Sequence, residues 1–123
     1  MIFMKATSMP KKQTISPEIV QRILRRVSYQ EGFRFSRGIG DYTGQVATSI
    51  EDFADILQTV ELKSIDFHME RQDFENWIRN VFSDEELAKS ISRRMIFQGE
   101  NRRNELIMVT KKRLDDLKKM LQT

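Results

Sequence analysis

A mainly α fold with a small β element is what this sequence predicts: an α+β arrangement in which a compact helical domain is flanked by amphipathic helices. Three observations carry that expectation. Capped segments with apolar residues at three- and four-residue spacing recur from Ser16 to Leu121. A single short stretch, "GFRFSRG", alternates with the period of a strand. Glycines follow at once, at 38, 40 and 44, where the chain must turn back to pair that strand.

Residues 1–15 show no periodicity and combine Pro10 with polar residues, which reads as a flexible N-terminal tail. A helical core domain with its short β element is expected over 16–92, and a basic amphipathic C-terminal helix over 93–123. "SPEIVQRILRRVS" opens the core with Ser16 as N-cap, Pro17 where its missing N–H costs nothing, and Glu18 near the positive end of the dipole. Ile19, Val20, Ile23, Leu24 and Val27 share one face, and Arg22, Arg25 and Arg26 lie largely on the other, so the helix is expected to run as far as Val27.

Phe33 and Phe35 alternate with Arg34 and Ser36 in the strand, for which "GQVAT" is the expected partner. "TSIEDFADILQTV" then places Thr48 with Glu51 and Ser49 with Asp52 at capping-box spacing ahead of a helix. After a break near "ELKS", "SIDFHMERQDFENWIRNVF" is expected to form a helical pair or one kinked helix. "SDEELAKSISRR" restarts with Ser83 as the expected N-cap and three acids in its first turn. In the last segment the apolar residues occupy under half the helix circumference, and Ile107, Leu114 and Leu121 recur every seven residues. That stripe, with Leu117, either docks on the chain's own core or seats a second copy, so Ile107, Leu114, Leu117 and Leu121 form the expected dimer interface.

Composition bounds the function. The chain has 123 residues, a net charge of +3 and no cysteine, which excludes disulfides, thiolate metal sites and a cysteine nucleophile and fits a cytoplasmic setting. Its apolar runs fall short of the roughly 18 residues a membrane span needs. The charge is unevenly spread: +6 over residues 1–37, −8 over 38–90 and +5 over 91–123. Basic ends of this kind meet phosphates, meet an acidic partner, or fold against the acidic middle.

The glycines form G-x-G-x-x-x-G, one residue longer than the dinucleotide fingerprint, and the G-K-[ST] of a P-loop is missing, so a turn is expected and not a phosphate cradle. His68, the only histidine, lacks a second histidine or a helical carboxylate set for a metal; a hydrogen-bonded structural role is expected, with acid–base work alongside Asp73 as the alternative. Arg93, Arg94, Arg102 and Arg103, on either side of Gly99, make the most concentrated basic cluster, and arginine pairs engage phosphates bidentately.

"FRFSRG", "TGQVATSIEDFADILQTV" and "SIDFHMERQDFENWIRNVFSDEELAKSI" together resemble a widespread prokaryotic domain of unknown function. Its pattern runs from a short F-x-F strand and a T-G turn through S-I-x-x-H and D-F-x-x-W to a final L-A helix. The matching positions are Phe33, Phe35, Thr43, Gly44, Ser64, Ile65, His68, Asp73, Phe74, Trp77, Leu87 and Ala88, within about half of the chain. The resemblance implies a small helical module with His68, Asp73 and Trp77 as signature positions. It implies no activity.

Two functions are therefore expected to compete. The first is a non-catalytic nucleic-acid-associated factor, a homodimer binding DNA or structured RNA, ribosomal RNA included, through Arg22, Arg25, Arg26, Arg34, Arg37, Arg93, Arg94, Arg102 and Arg103. The second is an interaction adaptor that engages an acidic protein partner through its amphipathic helices. Neither reading invokes a cofactor, a metal, a catalytic residue or a membrane.

Overall fold

A computed structural model describes residues 15–122. The expected tail lies outside the described residues except for Ile15, which packs part-buried against the core. Helix α1 spans Pro17–Leu24, capped as expected: the Ser16 hydroxyl accepts from the Ile19 N–H at 3.3 Å. It stops three residues before Val27. There the Val27 N–H donates to the Thr48 carbonyl at 2.8 Å, and Arg25 turns back to cap the Arg22 carbonyl at 2.6 Å, so tertiary bonds override helix periodicity.

A single 3₁₀ turn, Tyr29–Glu31, leads into an antiparallel hairpin of β1 (Phe33–Ser36) and β2 (Tyr42–Ala47). Phe33 opposes Ala47, Arg34 opposes Val46 and Ser36 opposes Tyr42, with a bulge between Arg34 and Ser36. The pleat sends Phe33 and Phe35 inward and Arg34 outward. The glycine-rich run is the hairpin turn: the Arg37 N–H donates to the Asp41 carbonyl at 2.8 Å, the Asp41 N–H to the Gly38 carbonyl at 3.1 Å, and Gly40 takes φ +72°.

Helix α2 (Ile50–Leu57) is capped by Ser49, whose hydroxyl accepts from the Asp52 N–H at 3.0 Å. The segment "SIDFHMERQDFENWIRNVF" lies in a helical pair, α3 (Leu62–Arg71) and α4 (Asp73–Trp77), hinged at Gln72 in the left-handed region and followed by a wide π turn over Ile78–Phe82. Ser83 does not cap α5 (Glu85–Ser92). It lies in the left-handed region with its N–H closing the preceding turn on the Arg79 carbonyl, and the next residue, Asp84, takes the Leu87 N–H at 3.2 Å. A second 3₁₀ turn, Arg93–Ile96, precedes α6 (Gly99–Leu121).

One hydrophobic cluster joins these elements, centred on fully buried Phe35, Phe53, Phe74 and Phe82. Helix α6 contributes Leu106, Leu114 and Leu117 to it, so the 93–123 segment shares the core of 16–92. This corrects the expected dimer interface. Leu114 and Leu117 are buried inside the chain and Ile107 packs part-buried on the same core, which leaves Leu121 as the exposed member. Among the described residues no helix is long and apolar enough to cross a membrane.

Candidate functional site

The hairpin has two faces, and His68, Asp73 and Trp77 lie against the inner one. His68, on α3, is only 5% exposed. Its Nε2 accepts the Ser36 N–H at 2.9 Å, and its Nδ1 lies 2.8 Å from Asp73 Oδ2, so the neutral ring carries its proton on Nδ1. The Arg71 Nε–H donates to the same carboxylate oxygen at 3.0 Å. The rings of Phe33, Phe67 and Phe74 stand 4.7, 5.0 and 5.4 Å from the imidazole. Burial in this cage holds the His68 pKa below its ordinary value, against the upward pull of Asp73.

Trp77, on α4, donates its indole N–H to the Glu31 carbonyl at 2.8 Å. His68 and Trp77 thus grip β1 from beneath, one at its far end and one just before its start. Both imidazole nitrogens are committed to protein partners, which leaves no lone pair for a substrate. The geometry makes His68, Asp73 and Trp77 positioning residues for the hairpin.

The outer face is different in kind. Tyr29 and Tyr42 are exposed, with their hydroxyl oxygens 3.5 Å apart. The guanidinium of Arg34 lies 4.7 Å from the centroid of the Tyr29 ring. The hydrogen bond to Tyr29 raises the Tyr42 phenol above its ordinary pKa. Ile39 stands at the tip, 82% exposed. Tyr29 escaped sequence reasoning because it sits in an isolated 3₁₀ turn with no periodicity of its own. Phe33 and Phe35, the aromatics adjacent to arginines in the sequence, face the core.

The nine arginines expected to meet nucleic acid separate sharply. Arg102 is buried, donating to Asp66 at 2.8 Å and to the carbonyls of Phe97 and Met95 at 2.7 and 3.1 Å, so it is no phosphate contact. Arg103 donates to the Leu57 carbonyl at 2.6 Å and to Glu100 at 2.8 Å, and Arg25 to the carbonyls of Arg22 and Val81. These three serve as helix and turn caps.

Arg26 is bonded to Asp52 and Thr48, and holds the Asp52 carboxyl below its ordinary pKa through that hydrogen bond. Arg37 does the same for Asp41 and also reaches Glu61. Arg94 lies 3.2 Å from Glu105 without the alignment of a hydrogen bond. Arg22, Arg34 and Arg93 have no carboxylate partner among the described residues.

Arg113, absent from the expected set, belongs to the best-buried ion pair among the described residues. It grips Asp84 with two bonds of 2.9 and 3.0 Å. The spacing of Arg102, Leu106, Arg113 and Leu117, four, seven and four residues, puts all four on one helix face, and that is the signal by which both buried arginines could have been found. Glu75 is a further buried acid, pushed up in pKa by desolvation and with Oε1 unpartnered. The groove between α2 and α6 is lined by both signs, Glu51, Asp55 and Asp115 against Lys111 and Lys118. Among the described residues no group of three or more His, Cys, Asp or Glu side chains is placed to hold a metal ion. Comparisons with family models, with curated proteins and with solved structures find no match for the chain.

Proposed function

We propose that this protein is a non-catalytic nucleic-acid-associated factor, acting in the cytoplasm, that engages unpaired stretches of DNA or structured RNA through the outer face of its hairpin. The observation that carries the reading is the exposed Tyr29–Arg34–Tyr42 cluster. Aromatic faces accept any base by stacking, and a guanidinium beside them serves both a base plane and a phosphate. Duplex DNA offers stacked, inaccessible base faces, so a platform of this kind favours single strands. Because most arginines are spent inside the fold, few phosphates are neutralised, and the salt dependence is shallow.

Fluorescence anisotropy with labelled single-stranded DNA, single-stranded RNA and duplex DNA across a salt series tests this. Stacking is worth about 1–3 kcal/mol per base, so Tyr29→Leu combined with Tyr42→Leu is expected to weaken single-strand binding roughly tenfold or more. Binding to no nucleic acid at low salt, or binding indifferent to that pair of substitutions, overturns the reading.

One observation favours the adaptor reading instead. Arg102 clamps the turn around Met95 and Phe97, and this fixed turn displays Ile96, 81% exposed, near Arg93. An exposed aliphatic beside an unpaired arginine is the composition of a protein contact with an acidic partner. A homo-oligomer, in either reading, would form through exposed residues such as Leu121 or Met108, since Leu114 and Leu117 are occupied.

A further inference from the structure

We infer that His68 is a proton-operated latch on the hairpin: taking up a proton at Nε2 expels the Ser36 amide and loosens the far end of β1 on α3, while the helical body stays in place. This does not depend on what the outer face binds. The argument begins with donor and acceptor counts. A neutral imidazole has one lone pair, and here it is filled by the Ser36 N–H at 2.9 Å, while the other nitrogen gives its hydrogen to Asp73 at 2.8 Å. A protonated ring carries hydrogens on both nitrogens. Two N–H groups then point at each other across a distance that admits only one, and either the ring or the strand must move.

The surroundings decide which. The imidazole is fixed by Asp73 from α4 and walled by Phe67 of its own helix, Phe74 of α4, and Phe33 and Phe35 of β1. Protonation strengthens its bond to the carboxylate. The charged groups that face it are Asp73, which favours the imidazolium, and Arg71 at the end of α3, which opposes it.

Ser36 is the weaker side of the contact. It is the last residue of β1, lies just past the bulge, and is followed within four residues by the Gly38–Gly40 turn. The near end of the strand is separately tied by Trp77 to the Glu31 carbonyl. Release therefore loosens the hairpin at one end, where the tie to α3 that remains is the solvent-exposed Arg37–Glu61 ion pair. Water entering behind Ser36 satisfies both freed N–H groups.

The test is carried out by NMR on the full chain between about pH 4.5 and 7.5, the range in which histidine titrates. Imidazole chemical shifts follow His68 while amide hydrogen exchange, normalised to the intrinsic rate at each pH, follows Ser36. The Ser36 protection factor is expected to fall roughly tenfold or more with the midpoint of the imidazole titration, while amides of Leu106 and Leu114 keep theirs. Protection at Ser36 that is constant through the titration, or that falls only together with Leu106 and Leu114, overturns the latch.

Two substitutions sharpen the test. Asp73→Asn keeps an acceptor for the Nδ1 hydrogen but removes its charge, so both midpoints are expected to shift together to lower pH; an unmoved midpoint counts against the latch. His68→Gln offers a side-chain carbonyl to Ser36 that does not titrate. A folded variant is expected to show flat protection at Ser36, and one that keeps the wild-type pH response overturns the assignment.

Discussion

Where α5 meets α6, a carboxylate and a guanidinium are locked together out of water; where the hairpin meets α3 and α4, the buried ties are neutral and the charged one, Arg37 to Glu61, lies in solvent. Asp84 and Arg113 keep 1% and 8% of their side-chain surface, and Asp84 also caps α5 through the Leu87 N–H. The hairpin hangs instead on Ser36 N–H to His68 and on Trp77 N–H to the Glu31 carbonyl. A buried ion pair needs both members, because each alone is an uncompensated charge in a poor solvent. Neutral ties fail singly, and one of them answers to a proton. The same small fold thus has a rigid corner and an adjustable one.

The strongest way to break this comparison is Arg113→Ala. It strands the Asp84 carboxylate, and urea unfolding is expected to show a loss of about 3–5 kcal/mol. A loss well under ~1 kcal/mol, the range of an exposed pair, would show that water reaches the pair and that the two corners do not differ.

Gly32→Ala acts on the other corner. A Cβ there would sit 2.7 Å from Val46 Cγ1 and 2.9 Å from the Ala47 carbonyl oxygen. Overpacking of this kind costs about 1–3 kcal/mol, and hydrogen exchange is expected to rise across β1 and β2 with α6 less affected. Uniform loosening of both corners would mean that they are not separable.

The smallest expected effect is the dependence of stability on mild acid. The folded His68 binds its proton less readily than the unfolded chain, whose ordinary value is 6.5. Its contribution is complete above that value and declines as pH falls through 6.5 towards the lower folded value, below which the loss is complete. Denaturant midpoints at pH 7.5 and at about pH 5.5 measure it, as the part of the pH dependence that His68→Gln removes.

Much of the architecture was legible because it is written locally. The Ser16 and Ser49 caps, the Phe33/Phe35 alternation and the glycine turn each follow from a few neighbouring residues. The Ser83 cap was missed locally, by one residue, but the larger misses come from a bond to a residue distant in sequence. Helix α1 stops early because Val27 pairs with Thr48, and Arg102 and Arg113 turn inward because Asp66 and Asp84 wait there. The candidate site was half visible. Arg34 and Tyr42 were within reach, while Tyr29 joined them only through the fold, and six of the nine arginines proved to be partnered within the chain.

The capping arginines bear on how this sequence tolerates drift. Arg25, Arg102 and Arg103 each fork to two or more acceptors, backbone carbonyls among them. A lysine keeps the charge but has no planar fork to span those acceptors. Exchange of arginine for lysine, neutral by any measure of isoelectric point, would be silent at Arg22 and Arg93 and deleterious at 25, 102 and 103. Among diverged copies of this chain, basicity can wander while those three forks stay put.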